Sequence, residues 1–329
     1  MVSNGVIDFS GLYDRYLHQC ALCPRKCRAD RINGETGLCR MGMQARVARA
    51  SLHLWEEPCI SGDTGSGPVF LAGFPLGCIY CQNAQIAFPE NDCFPGTEAD
   101  PERLAGIFLE LQGKGAANIN LVTAGHFVVP VLEALMLAKG KQVSGTARFR
   151  RPLQIPVVFN TSGYELPSTL RLLGPEIDVY LTDFRYWETE TAKRYSHAEQ
   201  YPQIAKDALK TMTELAGPPV FDEKGMMRRG VIVRVLLLPG HVKEACRIVE
   251  YLFNTYGDSV YISLLSQYTP MPAVLSDPLL GRCVTAREYK RLVNYAVSIG
   301  VTNGFWQDGK TAEESFIPDF GSGEGVIKT

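Results

Sequence analysis

The chain has 329 residues, 46% of them hydrophobic, and a formal net charge of −2. That length admits one large or two medium domains, and the apolar content suffices for a full core. The near-neutral balance gives no electrostatic reason to expect nucleic acid or an anionic membrane as partner.

No apolar run reaches the roughly 18 residues of a membrane-spanning helix. Met1 to Ser10 lack the basic-then-apolar order of a signal peptide, so the expected location is the cytoplasm. Residues 1–60 are rich in Cys, Arg and Gly and read as a small extension held partly by metal. Four of the chain's 10 cysteines cluster between residues 20 and 39, Cys20, Cys23, Cys27 and Cys39. Clustered thiols in a reducing compartment point to metal or redox chemistry rather than disulfides. The spacing suits a four-thiolate zinc site or a small iron–sulfur cluster and does not choose between them. The bland alternative is four reduced, buried thiols.

Beyond residue 60, short apolar runs alternate with helix-like segments. Strands are expected at 68–73, 118–123, 155–160, 177–182, 231–238 and 259–265. Helices are expected near 101–112, 128–139, 165–173, 203–215 and 241–254. A last helix fits 286–299, with Thr285 as its N-cap. Apolar strands separated by helices predict an α/β fold, a parallel sheet curled into a partial (β/α)6 barrel over residues 61–275. Residues 276–329 are expected to form a helix and tail packed on that barrel. Chemistry in such a fold sits at the C-terminal ends of the strands. Gly73, Thr123, Asn160, Asp183, Gly240 and Gln267 end or follow the six runs.

The first strand enters Gly73-Phe74-Pro75-Leu76-Gly77-Cys78-Ile79-Tyr80-Cys81-Gln82-Asn83, in which Cys78 and Cys81 form a chelating or redox pair. The second ends at Thr123-Ala124-Gly125-His126, where a lone His is more often a structural hydrogen-bonder than a ligand. The third ends at Asn160-Thr161-Ser162-Gly163-Tyr164-Glu165, small polar groups suited to a ribose or an amine. Ser162 and Glu165 are also spaced as a helix capping box. After the fourth, Asp183 and Arg185 lie on the same side of an extended chain. Arg234 lies inside the apolar fifth strand and needs a substrate, a carboxylate or a buried acid to balance it.

These segments resemble the radical-SAM superfamily, and within it the pyruvate formate-lyase activating enzyme-like subgroup. The resemblance runs from about Cys20 to Gln307 and includes Ser266-Gln267-Tyr268-Thr269-Pro270 and Asn303-Gly304-Phe305-Trp306-Gln307. It implies a [4Fe–4S] cluster held by three thiolates, with S-adenosylmethionine on the open iron, cleaved reductively to a 5′-deoxyadenosyl radical. Cys78 and Cys81 match the second and third ligands, and Tyr80 the aromatic near adenine. Thr123, His126, Asn160, Thr161, Ser162, Asp183, Arg185, Arg234 and Gln267 match positions around S-adenosylmethionine. The turn at Asn160-Thr161 with Asp183 matches a monovalent-cation site. The implied partners are a glycyl-radical protein substrate and a flavodoxin- or ferredoxin-like electron donor.

The pattern is broken at three places. Phe74 stands where the first cluster cysteine belongs, leaving the ligand set incomplete. Ala124-Gly125 replaces a Pro-Thr pair, and Val235 replaces a His after Arg234. Three accounts of Phe74 stay open: replacement by Cys59 or Cys93, a non-catalytic relative, or one substitution in an ordinary enzyme. The functional alternatives are accordingly a radical-generating enzyme, a non-catalytic protein that binds S-adenosylmethionine or metal, and a structural zinc protein.

Overall fold

The computed structural model describes residues 2–3, 6–89, 91, 93–141, 149 and 151–307. A two-stranded ribbon, β1 (Val2–Ser3) with β2 (Val6–Ile7), precedes helix α1 (Phe9–Leu17). Then come β3 (Ala45–Ala50), α2 (Pro58–Ser61), β4 (Gly67–Leu71), α3 (Ala84–Ala87) and β5 (Thr97–Ala99). Next are α4 (Pro101–Gly113), β6 (Ile119–Val122), α5 (Val128–Ala138), β7 (Val157–Thr161), α6 (Pro167–Leu173), β8 (Val179–Asp183), α7 (Thr189–Ser196) and α8 (Tyr201–Ala216). Last are β9 (Val220–Phe221), β10 (Met227–Leu236), α9 (Val242–Tyr256), β11 (Tyr261–Leu265), α10 (Ala286–Ser298) and β12 (Gly304–Trp306).

The six expected strands are β4, β6, β7, β8, β10 and β11, and they lie in one sheet of order β12-β11-β10-β8-β7-β6-β4-β3-β5. From β4 to β12 every neighbouring pair on that path is parallel. β3 pairs antiparallel with β4 and with β5. The α/β class with a parallel sheet, compatible with a partial barrel, is therefore present. β4 and β7 are buried at every position, as strands covered on both faces must be. Helix α5, apolar almost all round, is buried nearly throughout. Thr285 caps α10 in a reciprocal capping box with Glu288.

Two expected boundaries differ. β3 comes from the Cys-rich segment, yet it belongs to the sheet. Its sequence Ala-Arg-Val-Ala-Arg-Ala masks a strand because two half-buried arginines, Arg46 and Arg49, break up the apolar run. β12 comes from the C-terminal segment and pairs parallel with β11, although three residues are too few to show a period. The tail expected beyond it, residues 308–329, lies outside the described residues. No helix among the described residues is long and apolar enough to cross a membrane.

The register sets the polar row that matters. Asn120 lies opposite Val158, Asn160 opposite Leu181, and Asp183 opposite Arg234. Period two therefore puts Asn120, Asn160, Asp183 and Arg234 on one face of the sheet.

Candidate functional site

The loop after β4 turns at Gly73, where φ is +76°. A Cβ there would stand 2.6 Å from the Cys39 carbonyl oxygen and closer still to the Met41 side chain, so only glycine fits. The N-terminal segment thus lies directly on this loop. Cys78 is buried, and its sulfur accepts from Ser196 Oγ at 3.0 Å and Arg185 Nη1 at 3.5 Å. Cys81 lines the cavity below, its thiol pushed up to about 11 by burial and then by the neighbouring Cys78. Phe74 lines the same wall. Cys59 sits in a separate apolar cluster with Val158, Leu181 and Ile232, and Cys93 is exposed. Neither lines the cavity.

That cavity, of 230 Å³, opens at the C-terminal strand ends. It brings together Thr123, Asn160, Thr161, Ser162, Asp183, Arg185, Arg234 and Gln267 from the expected set. Thr123 Oγ1 donates to the Asn160 carbonyl at 2.8 Å. Asp183 is the hub: Arg185 Nη2 donates to it at 2.6 Å and Arg234 Nε at 2.9 Å. Burial pushes its carboxyl up, but the two guanidiniums outweigh that and hold it below the usual carboxylate range. Arg234 Nη2 also donates to Asn160 Oδ1 at 2.5 Å. The buried arginine is therefore balanced by buried acid, one of the three partners its position demanded. Arg185 keeps one buried donor, Nε, without a partner.

Three expectations turn out otherwise. Tyr80 is buried away from the cavity, its hydroxyl 2.7 Å from that of Tyr186 and its ring packed edge-on against Tyr186, Tyr195 and Tyr268. The aromatic neighbours supplied by α7 and the 266–268 segment draw it into the core. His126 is also buried off the cavity, with Nε2 2.9 Å from the Ala72 carbonyl. Burial pushes its pKa down to about 3, so it is a neutral core histidine. Ser162 and Glu165 form no capping box. Helix α6 starts at Pro167, which fits the first turn, with Leu166 at the N-cap. Glu165 instead accepts from Thr161 Oγ1 at 2.7 Å.

The sequence reading passed over His53, Trp55 and Glu56, which line the cavity from the segment before α2. Glu56 accepts from Asn120 Nδ2 at 3.0 Å and faces Arg234 Nη1 at 3.4 Å. Burial pushes Glu56 and Glu57 up, while Arg234 pulls both down. The available signal was Arg234 itself, since a cation inside an apolar strand requires acids somewhere else in the chain.

Cys20, Cys23 and Cys39 are buried and Cys27 is partly so. Among the described residues, no three His, Cys, Asp or Glu side chains are gathered closely enough to hold an ion as they stand.

No protein-family model matches the chain. An uncharacterized protein of Methanocaldococcus jannaschii is 27% identical over 285 residues, covering 84% of this chain and 74% of that protein. Streptococcus suis SuiB bound to precursor peptide SuiA aligns with a TM-score of 0.44 at 9% identity, covering 71% of this chain and 46% of SuiB. HydG, a maturase of the [FeFe]-hydrogenase, aligns with a TM-score of 0.43 at 13% identity, covering 70% of this chain and 48% of HydG. The chain spans about half the length of those two structures.

Proposed function

We propose that this chain is a radical-SAM-type barrel that binds S-adenosylmethionine at its strand ends and, with Phe74 in place, lacks the ligand set for the cluster that would cleave it. The observation that carries the binding half is the convergence of Thr123, Asn160, Ser162, Asp183, Arg185 and Gln267 on one strand-end cavity. The Arg185 guanidinium suits the ligand's carboxylate, and the amide and hydroxyl groups suit its amine and ribose.

A site-differentiated cube needs three thiolates. The loop supplies Cys78 and Cys81, while Phe74 has no lone pair to offer, and the Cys78 sulfur already takes two hydrogen bonds from Ser196 and Arg185. The residues present do not fit the cluster. Generation of a 5′-deoxyadenosyl radical, activation of a glycyl-radical partner and reduction by a flavodoxin- or ferredoxin-like donor therefore belong to the Phe74→Cys form of the chain.

The test pairs calorimetric titration with S-adenosylmethionine and iron and sulfide analysis after anaerobic reconstitution, on the unaltered chain and on Phe74→Cys. The expected result is ligand binding by both, weakened by Arg185→Ala, and a cluster only in Phe74→Cys. Absence of binding in both, with zinc as the only metal retained, would leave a structural zinc protein and sink the reading.

A further inference from the structure

Three largely buried carboxyls, Glu56, Glu57 and Asp183, share two largely buried guanidiniums, Arg185 and Arg234. The cations are drawn to one side. Arg185 Nη2 and Arg234 Nε both donate to Asp183, and Arg234 Nη2 donates to Asn160 Oδ1. Glu56 receives the longest of the Arg234 contacts, 3.4 Å. Behind it, Glu57 Oε2 and Asn120 Oδ1 are buried acceptors without a donor, and Asn120 is 0% exposed. Asn120 shares its sheet face with Asn160, Asp183 and Arg234, which all line the cavity. This end of the site is therefore short of positive charge and of hydrogen-bond donors, both costly inside a protein.

The cavity wall on that side is a single segment carrying His53, Trp55 and Glu56. It is pinned in place. His53 and Ser66 exchange backbone N–H···O bonds at 2.9 and 2.8 Å, and the Glu56 N–H donates to Ser61 Oγ at 2.9 Å. Trp55 is 62% exposed and still lines the cavity, so it stands at the mouth, whereas the Glu56 side chain lies inside. Burial, and then Arg49, push His53 down, so it stays neutral and does not repel a cation. An aromatic rim above a carboxylate is the chemistry that holds an ammonium group, through the ring face and through charge-assisted N–H···O bonds. None of the groups given to S-adenosylmethionine above comes from this segment.

We propose that His53, Trp55 and Glu56 form a second subsite of the cavity, for an alkylammonium group, with its N–H bonds on the Glu56 carboxylate and its carbon chain under Trp55. The ammonium brings the missing positive charge and up to three donors to the acceptor-rich end. The subsite rests on the reading above only in being the seat of a co-substrate beside S-adenosylmethionine; the ammonium contacts themselves do not depend on it. The same chemistry is offered by a free alkylamine and by the lysine side chain of a peptide.

Saturation-transfer NMR on the full chain tests this, with n-butylammonium as probe and n-butanol as its neutral counterpart, with and without excess S-adenosylmethionine. Butylammonium should bind at least about tenfold more tightly than butanol, the effect of one charge-assisted hydrogen bond, and should stay bound beside S-adenosylmethionine. Glu56→Gln should remove that preference, and Trp55→Ala should weaken the probe about two- to fivefold. If Glu56→Gln does not fold, the exposed Trp55→Ala change and the butanol comparison decide. A blocked glycyl-lysyl-glycine peptide that binds more tightly than butylammonium identifies a lysine as the source, and one that binds more weakly identifies a free amine; both orders support the subsite. Equal binding of butylammonium and butanol overturns the proposal. So does complete displacement of the probe by S-adenosylmethionine, because the ammonium would then sit in that ligand's own place. Amine binding in a chain that takes no S-adenosylmethionine would sink the reading above and leave this subsite standing.

Discussion

Replacing Arg234 with methionine should cost about 3–5 kcal/mol of stability near neutral pH, the usual effect of removing one partner of a buried charge network. Methionine keeps the apolar stem and much of its volume, so the loss is mainly electrostatic. Arg234 contacts Asp183, Glu56 and Asn160. In the variant Asp183 retains Arg185 and Glu56 retains Asn120, but Glu57 loses the cation that pulls it down. The pH dependence checks the cause. In the unaltered protein Asp183 has a lowered folded pKa, so it contributes stability above its unfolded value, near 4, that is lost as pH falls through the folded one. Glu56 and Glu57 are raised and subtract stability as pH climbs past their unfolded values. Without Arg234 all three move upward, so the deficit should be largest near pH 7 and shrink towards pH 5. Urea unfolding at the two pH values measures this. A deficit below about 1 kcal/mol, or one equal at both, would mean the network is solvated and the reasoning is wrong.

Gly125→Ala places a Cβ 2.1 Å from Glu165 Oε2, and the overpacking should cost about 1–3 kcal/mol. Glu165→Ala in the same chain should recover most of that loss in thermal melts. Burial pushes Glu165 up to about 7 against a weaker pull from the Thr161 hydroxyl. Its raised folded value means that stability falls as pH rises from the unfolded carboxylate value through about 7. Glu165→Gln should therefore be more stable than the parent at pH 8, by on the order of 3 kcal/mol, and the advantage should vanish near pH 4. An advantage that does not change with pH would refute a buried, ionising Glu165.

The strands were legible because Ile119–Val122, Val157–Thr161 and Val179–Asp183 are apolar on both faces, and a run that must be hidden twice has few alternatives. The cavity was legible where polar residues interrupt those runs at their ends, as Thr123, Asn160 and Asp183 do. Tyr80 and His126 show the limit. Both lie beside cavity residues in sequence, but side-chain direction decides whether a neighbour faces the ligand or the core. That direction is set by Tyr186, Tyr195 and Tyr268 for one and by the Ala72 carbonyl for the other. Glu56 was illegible for a different reason. Its partners are 64 and 178 residues away, and no local period encodes contacts at that separation.

The strand-end polar groups are held in place without residue 74. Asp183 is fixed by two arginines, Asn160 by Arg234, and Thr123 by the Asn160 carbonyl, all within the sheet and its first turns. The loop that carries Phe74 is held by Arg25 and by Cys39 and Met41 packed on Gly73, and it meets the strand ends where Arg185 donates to the Cys78 sulfur. Neither support passes through residue 74. A thiol or a phenyl ring there changes which metal chemistry the loop can host and leaves the strand-end polar groups in place. Phe74→Cys should accordingly alter iron uptake while changing affinity for S-adenosylmethionine before reconstitution by less than about tenfold, or 1.4 kcal/mol. A larger change would show that the loop and the strand ends are a single coupled site.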